Sequence, residues 1–350
     1  MSGLRSGWRF KLWFLPFVLL ATLALADSPA SAAQIGPRYG GIEFYGSSQV
    51  SKQELEKIIG LKPGASLQQV DRAVQRLKEK LAFRHVPATV QVVEVPPDKI
   101  FIVVDVTDTA TDTSAPTRRL RNPRHIYVSS EKPFLLMDQL ESRLERLSNE
   151  GRPWREELRQ GLKYYTDEPA NQIVDQIVRQ VPDMRDEIIA VTESDPDSNR
   201  RRRAVELLHW AGGIPNTTYR LIPAIDDADG GVRAAVARYM FPRFELLPDA
   251  FPFAKLVEAY SRQINRPTHQ DRTKGLYCLL AIAGQRPDMI DNIQLYDETR
   301  IKKLAEDSTI PTVKDPAQQL LAVFAKQAAK PPQQAVPPPP PEGEQDAAGF

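Results

Sequence analysis

The fold of this chain is decided by residues 41–106, GIEFYGSSQVSKQELEKIIGLKPGASLQQVDRAVQRLKEKLAFRHVPATVQVVEVPPDKIFIVVDV. Apolar and polar residues alternate around Ile42 and Phe44, which predicts a short, half-buried strand. Two serines then each precede a Glu or Gln by three residues, which is the spacing of a capping box at a helix start. These pairs are Ser51 with Glu54 and Ser66 with Gln69. The segment therefore begins as one strand followed by two helices.

The apolar spacing supports the second helix and then changes its period. The helix carries one apolar stripe with steps of four, three and four residues: Val70, Val74, Leu77 and Leu81. After Pro87 the spacing becomes two, and Pro96-Pro97-Asp98 predicts a turn between two strands. The second of these strands, Ile100 to Val106, is apolar on both faces, so we expect it in the sheet interior. The predicted order is βααββ.

This order and its motifs resemble a POTRA domain, a small protein-docking module of bacterial cell envelopes. The resemblance also uses the segments Ile42-Glu43-Phe44-Tyr45-Gly46, Val50-Ser51-Lys52-Gln53-Glu54-Leu55 and Leu61-Lys62-Pro63-Gly64. It implies that the last strand lies between the first two, and that an edge strand pairs with an extended strand of a partner. The candidate edge residues are Thr89, Val90, Gln91, Val92, Val93, Glu94 and Val95.

The N-terminus favours export from the cytoplasm. Three basic residues precede an apolar run, residues 12–25, which is shorter than the ~20 residues that a membrane-spanning helix needs. Small residues fit cleavage after Ala26 or Ala32, which predicts a signal peptide over residues 1–32 and a periplasmic protein. The alternative is an uncleaved helix that anchors the protein in the inner membrane.

The charge balance argues against nucleic acid as the main partner. The formal net charge of +1 falls to −2 on cleavage after Ala26, which removes three basic residues. Such a nearly neutral chain lacks the positive charge that phosphate backbones attract. The single cysteine, Cys278, permits no intramolecular disulfide, so packing must stabilise the fold.

Two segments are predicted to lie outside the folded domains. Residues 108–132 form a linker, because they begin with a Thr-, Asp- and Ser-rich stretch that has no apolar period. Residues 329–350 are Pro-rich and predict a disordered tail with polyproline II segments. We expect this tail to serve as a spacer, and the alternative is a ligand for an aromatic groove. The linker carries a basic cluster that is a candidate docking site for a protein. A membrane surface is a second possible partner of this cluster, although the predicted function does not require one. The members of the cluster are Arg118, Arg119, Arg121 and Arg124.

Residues 133–328 are predicted to be helical, which leaves no strand series for a barrel of their own. One turn resembles a HEAT-type repeat, because Asp229 precedes Val232-Arg233 and an alanine-rich helix. Weaker copies begin near Asp197 and Asp271, at offsets near the ~40-residue HEAT period. The fold class is thus an α+β POTRA-like domain, residues 33–107, followed by an all-α HEAT-like repeat domain. An irregular helical bundle is the alternative.

Two local predictions concern this helical half. The spacing of four apolar residues predicts one helix face: Trp154, Leu158, Leu162 and Tyr165. The run Arg200–Arg203 begins another helix, where consecutive side chains point in different directions. We expect these arginines to be mainly solvated, with one of them joining a hydrogen-bond ladder between repeats. The alternative is a patch that binds an anionic lipid or an acidic protein.

The sequence contains no recognisable motif for chemistry. None of the four histidines forms a metal-binding pair at helical spacing, and there is no phosphate-binding loop, nucleophile elbow or dinucleotide fingerprint. We therefore expect no catalytic residue, no metal and no cofactor. The predicted function is a non-enzymatic periplasmic scaffold that binds envelope proteins, such as an outer-membrane protein or a secretion component. It binds them through the edge of the POTRA-like sheet and through the surface of the helical repeats. The alternatives are a membrane-anchored division or secretion assembly protein, and a cell-wall hydrolase with a site among the helices.

Overall fold

The computed structural model describes residues 37–45, 50–95, 98–106, 117–120, 122–159 and 162–329. The chain divides into two compact units, one of residues 1–38 and 120–213 and the other of residues 39–119 and 214–350. The predicted signal peptide, the start of the predicted linker, Arg121 and the Pro-rich tail beyond Ala329 lie outside the described residues.

The first domain has the predicted βααββ order. Its elements are β1 (Arg38–Tyr45), α1 (Lys52–Ile59), α2 (Leu67–Phe83), β2 (Ala88–Val95) and β3 (Lys99–Val106). The sheet order is β1-β3-β2, so the doubly apolar strand is central, as predicted. Strands β2 and β3 are antiparallel, and their register runs from Ala88 opposite Val106 to Val95 opposite Lys99.

The local signals at the two helices act as expected. Ser51 caps α1 by accepting a hydrogen bond from the Glu54 amide at 3.2 Å. Gly60 ends α1 in the left-handed conformation with φ of 61°, which glycine adopts without steric cost. Ser66 and Gln69 form the capping box of α2. The apolar faces of both helices then pack on one face of the sheet, against Ile42, Ile100, Ile102 and Val104 among others.

The middle of the chain forms the other unit. Its elements are α3 (Lys132–Asn149), β4 (Glu156–Arg159), β5 (Leu162–Tyr165), α4 (Glu168–Val178), α5 (Arg185–Ser194) and α6 (Ser198–Leu207). The segment before α3 is bound to α5 and the turn that follows it, because the Ser129 amide donates to Glu187 and the Ile126 amide donates to Asp195. This part of the predicted linker is therefore docked on the helices of its unit.

The β4–β5 hairpin corrects the helix predicted through Trp154, Leu158, Leu162 and Tyr165. Only Gln160 and Gly161 separate the two strands, and two-residue connections with glycine favour hairpins. The sequence of β5 does not show the apolar–polar alternation of a strand, because one of its two inward-facing residues is charged. Lys163 is buried beside Tyr165, and its ammonium group pairs with Glu156 at 2.8 Å and Glu206 at 3.6 Å.

The C-terminal helices pack in two layers. They are α7 (Ile214–Leu221), α8 (Gly230–Met240), α9 (Phe253–Ile264), α10 (His269–Gln285), α11 (Ile290–Asp307) and α12 (Pro311–Ala328), with a 3-10 helix, Ile222–Asp226, continuing α7. One layer joins this 3-10 helix, α9 and α11, and the other joins α8, α10 and α12. Consecutive helices α9 and α10, like α11 and α12, pack as hairpins. The predicted class, a POTRA-like domain followed by a helical repeat-like region, is confirmed.

No helix within the described ranges is long and apolar enough to cross a lipid bilayer.

Candidate docking surface

Strand β2 is an outer strand whose free side has no backbone partner within the described part of the chain. At the opposite edge, the connection between α1 and α2 covers part of β1. Tyr39 there donates to the Ala65 carbonyl at 2.9 Å and accepts from the Gly64 amide at 2.8 Å. An uncovered edge presents unpaired N–H and C=O groups that another strand can pair with. Thr89 to Val95 therefore form the more open edge of this sheet.

The predicted edge residues lie on two faces, because side chains alternate along a strand. Val90 packs against the core formed with the two helices, and Val92 on the same face is 38% exposed. On the other face, the Gln91 side chain accepts a hydrogen bond from the His269 amide at 3.1 Å. This contact places the start of α10 beside β2.

His269 is uncharged at neutral pH in this position. Burial, together with the nearby Arg272 guanidinium, lowers its pKa to about 4. Its Nε2 lies 3.3 Å from the hydroxyls of both Thr273 and Thr312. The region beside β2 is therefore polar, but His269 adds no positive charge to it.

The predicted basic cluster belongs to both units of the chain. Arg118 lies in the unit with the sheet, where its amide donates to the Asp226 carbonyl and its guanidinium pairs with Asp227 at 2.9 Å. Arg124 lies in the other unit, where its amide donates to the Ser194 carbonyl at 3.1 Å. The side chains of Arg119 and Arg124 are exposed. Arg118 is thus committed to an intramolecular contact.

The run Arg200–Arg203 is not the solvated face that the sequence suggests. Each arginine has a protein partner in its own unit: Arg200 with Glu131 at 2.7 Å, Arg201 with the Asp195 carbonyl at 2.8 Å, Arg202 with Glu141 at 2.5 Å, and Arg203 with Asp138 at 2.6 Å. Arg201 is only 3% exposed. Hydrogen bonds from Arg200 lower the pKa of Glu131. The run is used inside the fold.

Metal ligands, the single cysteine and a cavity carboxylate are the features of the described ranges that bear on chemistry. No group of three or more His, Cys, Asp or Glu there has the geometry to hold a metal ion. Burial raises the pKa of Cys278 to about 12, so its thiol stays protonated and is a poor nucleophile. In a shallow surface cavity on α11, a hydrogen bond from Lys302 lowers the pKa of Glu298, the opposite of what a general acid needs.

Sequence reasoning missed two acids on the face of the sheet opposite its own helices. Glu43 on β1 and Asp105 on β3 are each about 2% exposed, and both contact the C-terminal helices. Burial raises the pKa of Glu43, although hydrogen bonds from Ser308, Thr309 and Ile310 act in the other direction. The sequence did contain one sign of this contact, because Asp105 is a charged residue within the otherwise apolar strand of residues 100–106, and buried charges are almost always paired.

Comparison with known proteins identifies the first domain. Residues 37–108 match the family model described as POTRA, surface antigen variable number repeat. These residues are a POTRA domain. POTRA domains are non-catalytic interaction domains that occur in envelope proteins and bind other proteins.

The other comparisons add little. Among solved structures, a designed armadillo repeat protein in complex with a (KR)4 peptide is similar at 13% sequence identity and a TM-score of 0.25, covering 56% of this chain and 100% of its own. No curated protein matches this chain.

Proposed function

We propose that this protein is a non-enzymatic scaffold of the bacterial cell envelope that binds an extended segment of a partner protein along the free edge of β2. The observation that carries the proposal is that Thr89 to Val95 lack a second backbone partner within the described residues, in a domain whose relatives bind proteins. A strand added there gains main-chain hydrogen bonds whatever its sequence.

Specificity comes from the side chains that flank the added strand. Val92 and Glu94 are exposed on one face of the edge and favour a partner strand with an apolar and a basic residue two positions apart. The exposed Arg119 and Arg124 are further candidate contacts for acidic groups of a partner. The partner class is an envelope protein, such as an outer-membrane protein or a secretion component.

The proposed location is the periplasm, after removal of residues 1–32. The basic start, the short apolar run and the small residues at two sites support it. N-terminal sequencing of the mature protein tests this part: a start at Asp27 or Ala33 supports a cleaved signal peptide. A start at Met1 contradicts it and favours an inner-membrane anchor.

The edge is tested with Val92→Pro, which removes a backbone N–H from β2 and introduces a residue that is disfavoured in strands paired on both sides. The matched control is Val92→Thr, which keeps the N–H and a β-branched side chain. We expect Val92→Pro to lose partners recovered from native envelopes and Val92→Thr to retain them. Both variants are first compared with the wild type by circular dichroism and thermal unfolding. Equal recovery with a folded Val92→Pro protein contradicts edge pairing.

A further inference from the structure

A common pattern recurs where the second helix of three successive helix pairs begins. A turn residue is followed two positions later by the helix cap and six positions later by an arginine. The three sets are Asp195, Asp197 and Arg201; Asp227, Asp229 and Arg233; and Arg266, Thr268 and Arg272. In each set the arginine Nη1 donates to the carbonyl of the turn residue, at 2.8, 2.7 and 3.1 Å. The pattern therefore defines the register of the repeats.

Among helices α7–α12, the arginine of the second set, Arg233, also bonds to the following repeat. Arg233 makes two hydrogen bonds to Asp271, Nε to Oδ1 at 2.9 Å and Nη2 to Oδ2 at 2.6 Å. Asp271 directly precedes Arg272, the arginine of the next set. A regular array would continue by joining Arg272 to a carboxylate at the corresponding position of the last helix pair.

The last helix pair offers no such group. The same register places Ser308, Ile310 and Lys314 at the turn, cap and arginine positions, and Val313 at the acid position. Val313 is fully buried and apolar, and Ile310 provides no side-chain cap to α12. With Val313 at the N3 position of α12, the N-cap amide lacks the acid of a capping box, and a buried arginine without a carboxylate is costly.

The POTRA sheet supplies both missing groups. Asp105 accepts from Arg272, with Nη1 to Oδ1 at 2.6 Å and Nη2 to Oδ2 at 2.8 Å. Ile310 is the N-cap residue of α12. Glu43 Oε2 accepts from its amide at 3.1 Å and from the Thr309 amide at 3.0 Å, which is the role of the N3 acid in a capping box. The Arg272 guanidinium carbon also lies 3.8 Å from the ring centroid of Tyr45 on β1.

We propose that the POTRA domain occupies the place of the next repeat, with Asp105 accepting hydrogen bonds from the last repeat arginine and Glu43 accepting one from the N-cap amide of α12. The domain and helices α7–α12 then fold and move as one body, and β2 is held in a fixed position beside α10 by Gln91. A protein strand bound to β2 therefore meets the start of α10 as well. The inference goes beyond strand binding and does not depend on it.

Native-state hydrogen exchange on the unaltered full-length protein is the first test. If the POTRA domain and α10–α12 are one body, core amides such as those of Leu77, Val104 and Leu279 exchange with the same free energy of opening. A POTRA core that opens separately, with exchange at least tenfold faster than that of α10, overturns the proposal. This measurement needs no variant to fold.

The second test uses Glu43→Gln and Asp105→Asn, with Glu79→Gln and Asp71→Asn on the exposed surface of α2 as matched controls. Glu43→Gln is expected to speed exchange of the Thr309 and Ile310 amides at least tenfold, whereas both controls leave it unchanged. The protein that carries both Glu43→Gln and Asp105→Asn is expected to unfold in two calorimetric transitions rather than one. Unchanged exchange at Thr309 and Ile310 in Glu43→Gln contradicts the role given to Glu43. A single transition in the protein that carries both Glu43→Gln and Asp105→Asn contradicts the proposal that these two contacts join the domain to the helices.

Discussion

Arg272 on α10 and Asp105 on the central strand of the POTRA sheet form a buried, two-bonded ion pair across 167 residues of sequence. Each side chain is at most 3% exposed. Removing one member of such a pair leaves the other charge buried without compensation, which costs about 3–5 kcal/mol.

We therefore expect Arg272→Ala to lower the free energy of unfolding, measured by urea denaturation, by about 3–5 kcal/mol. Replacing both residues by apolar ones of similar volume, Arg272→Met with Asp105→Leu, should recover most of the loss. A loss below about 1 kcal/mol for Arg272→Ala, the range of exposed ion pairs, would show that the pair is not desolvated in solution.

The Arg233–Asp271 pair provides a second test of the repeat register. Lysine keeps the positive charge at position 233 but cannot form the two-bonded fork with a carboxylate. We expect Arg233→Lys to cost about 1–3 kcal/mol of stability, whereas Arg72→Lys on the exposed side of α2 stays within about 0.5 kcal/mol. Urea midpoints and slopes for the two variants check this, and equal effects would contradict a bond between repeats at Asp271.

Close packing of α9 and α10 depends on Gly275. A Cβ atom there would lie 2.6 Å from the Cγ2 of Ile264 and 3.2 Å from the Tyr260 carbonyl, so neighbouring backbone must move. Gly275→Ala is expected to destabilise the protein by about 1–3 kcal/mol. Gly284→Ala near the end of the same helix meets no atom within 4 Å and should stabilise by up to about 1 kcal/mol. Thermal unfolding separates the two, and a shift in the same direction for both would contradict this packing.

Asp297 on α11 makes stability depend on pH. Burial raises its pKa to about 6, and Ser261 is its hydrogen-bond donor. The folded state holds this proton more tightly than the unfolded state, whose pKa is near 3.8. The protonated Asp297 carboxyl group therefore makes its full contribution to the free energy of unfolding below pH ~4. This contribution, roughly 3 kcal/mol, is lost as the pH rises through about 6.

Asp297→Asn removes this titration. Its unfolding free energy should exceed that of the wild type at pH 8 and approach it at pH 4. Urea denaturation at both pH values checks the sign, and a difference that is the same at pH 4 and pH 8 would contradict a raised pKa.

Local patterns made much of the fold predictable. The capping serines Ser51 and Ser66 and the apolar stripe of α2 act within one or two helical turns, so their sequence spacing was sufficient. The β4–β5 hairpin was missed because Lys163, a charged residue, occupies an inward position. Its burial depends on Glu206, which is far away in sequence.

The contacts that join the POTRA domain to the helices could not be predicted from spacing. Glu43 reaches Ile310 across 267 residues, and no local rule pairs an acid on a strand with an uncapped helix start. Aligning Arg233 with Arg272 would have revealed that the second arginine lacks its carboxylate in the next repeat. The edge strand itself was predictable, since its place in the sheet follows from the doubly apolar β3.

Amide hydrogen exchange of β2 in a partner complex tests strand addition most directly. In an outer antiparallel strand, alternate amides have no partner from β3 and exchange quickly unless another strand covers them. We predict that the fast-exchanging amides between Thr89 and Val95 become at least tenfold slower in complexes isolated from native envelopes, while exchange in α1 stays unchanged. Unchanged exchange in β2, with protection appearing elsewhere in the protein, would contradict docking at this edge.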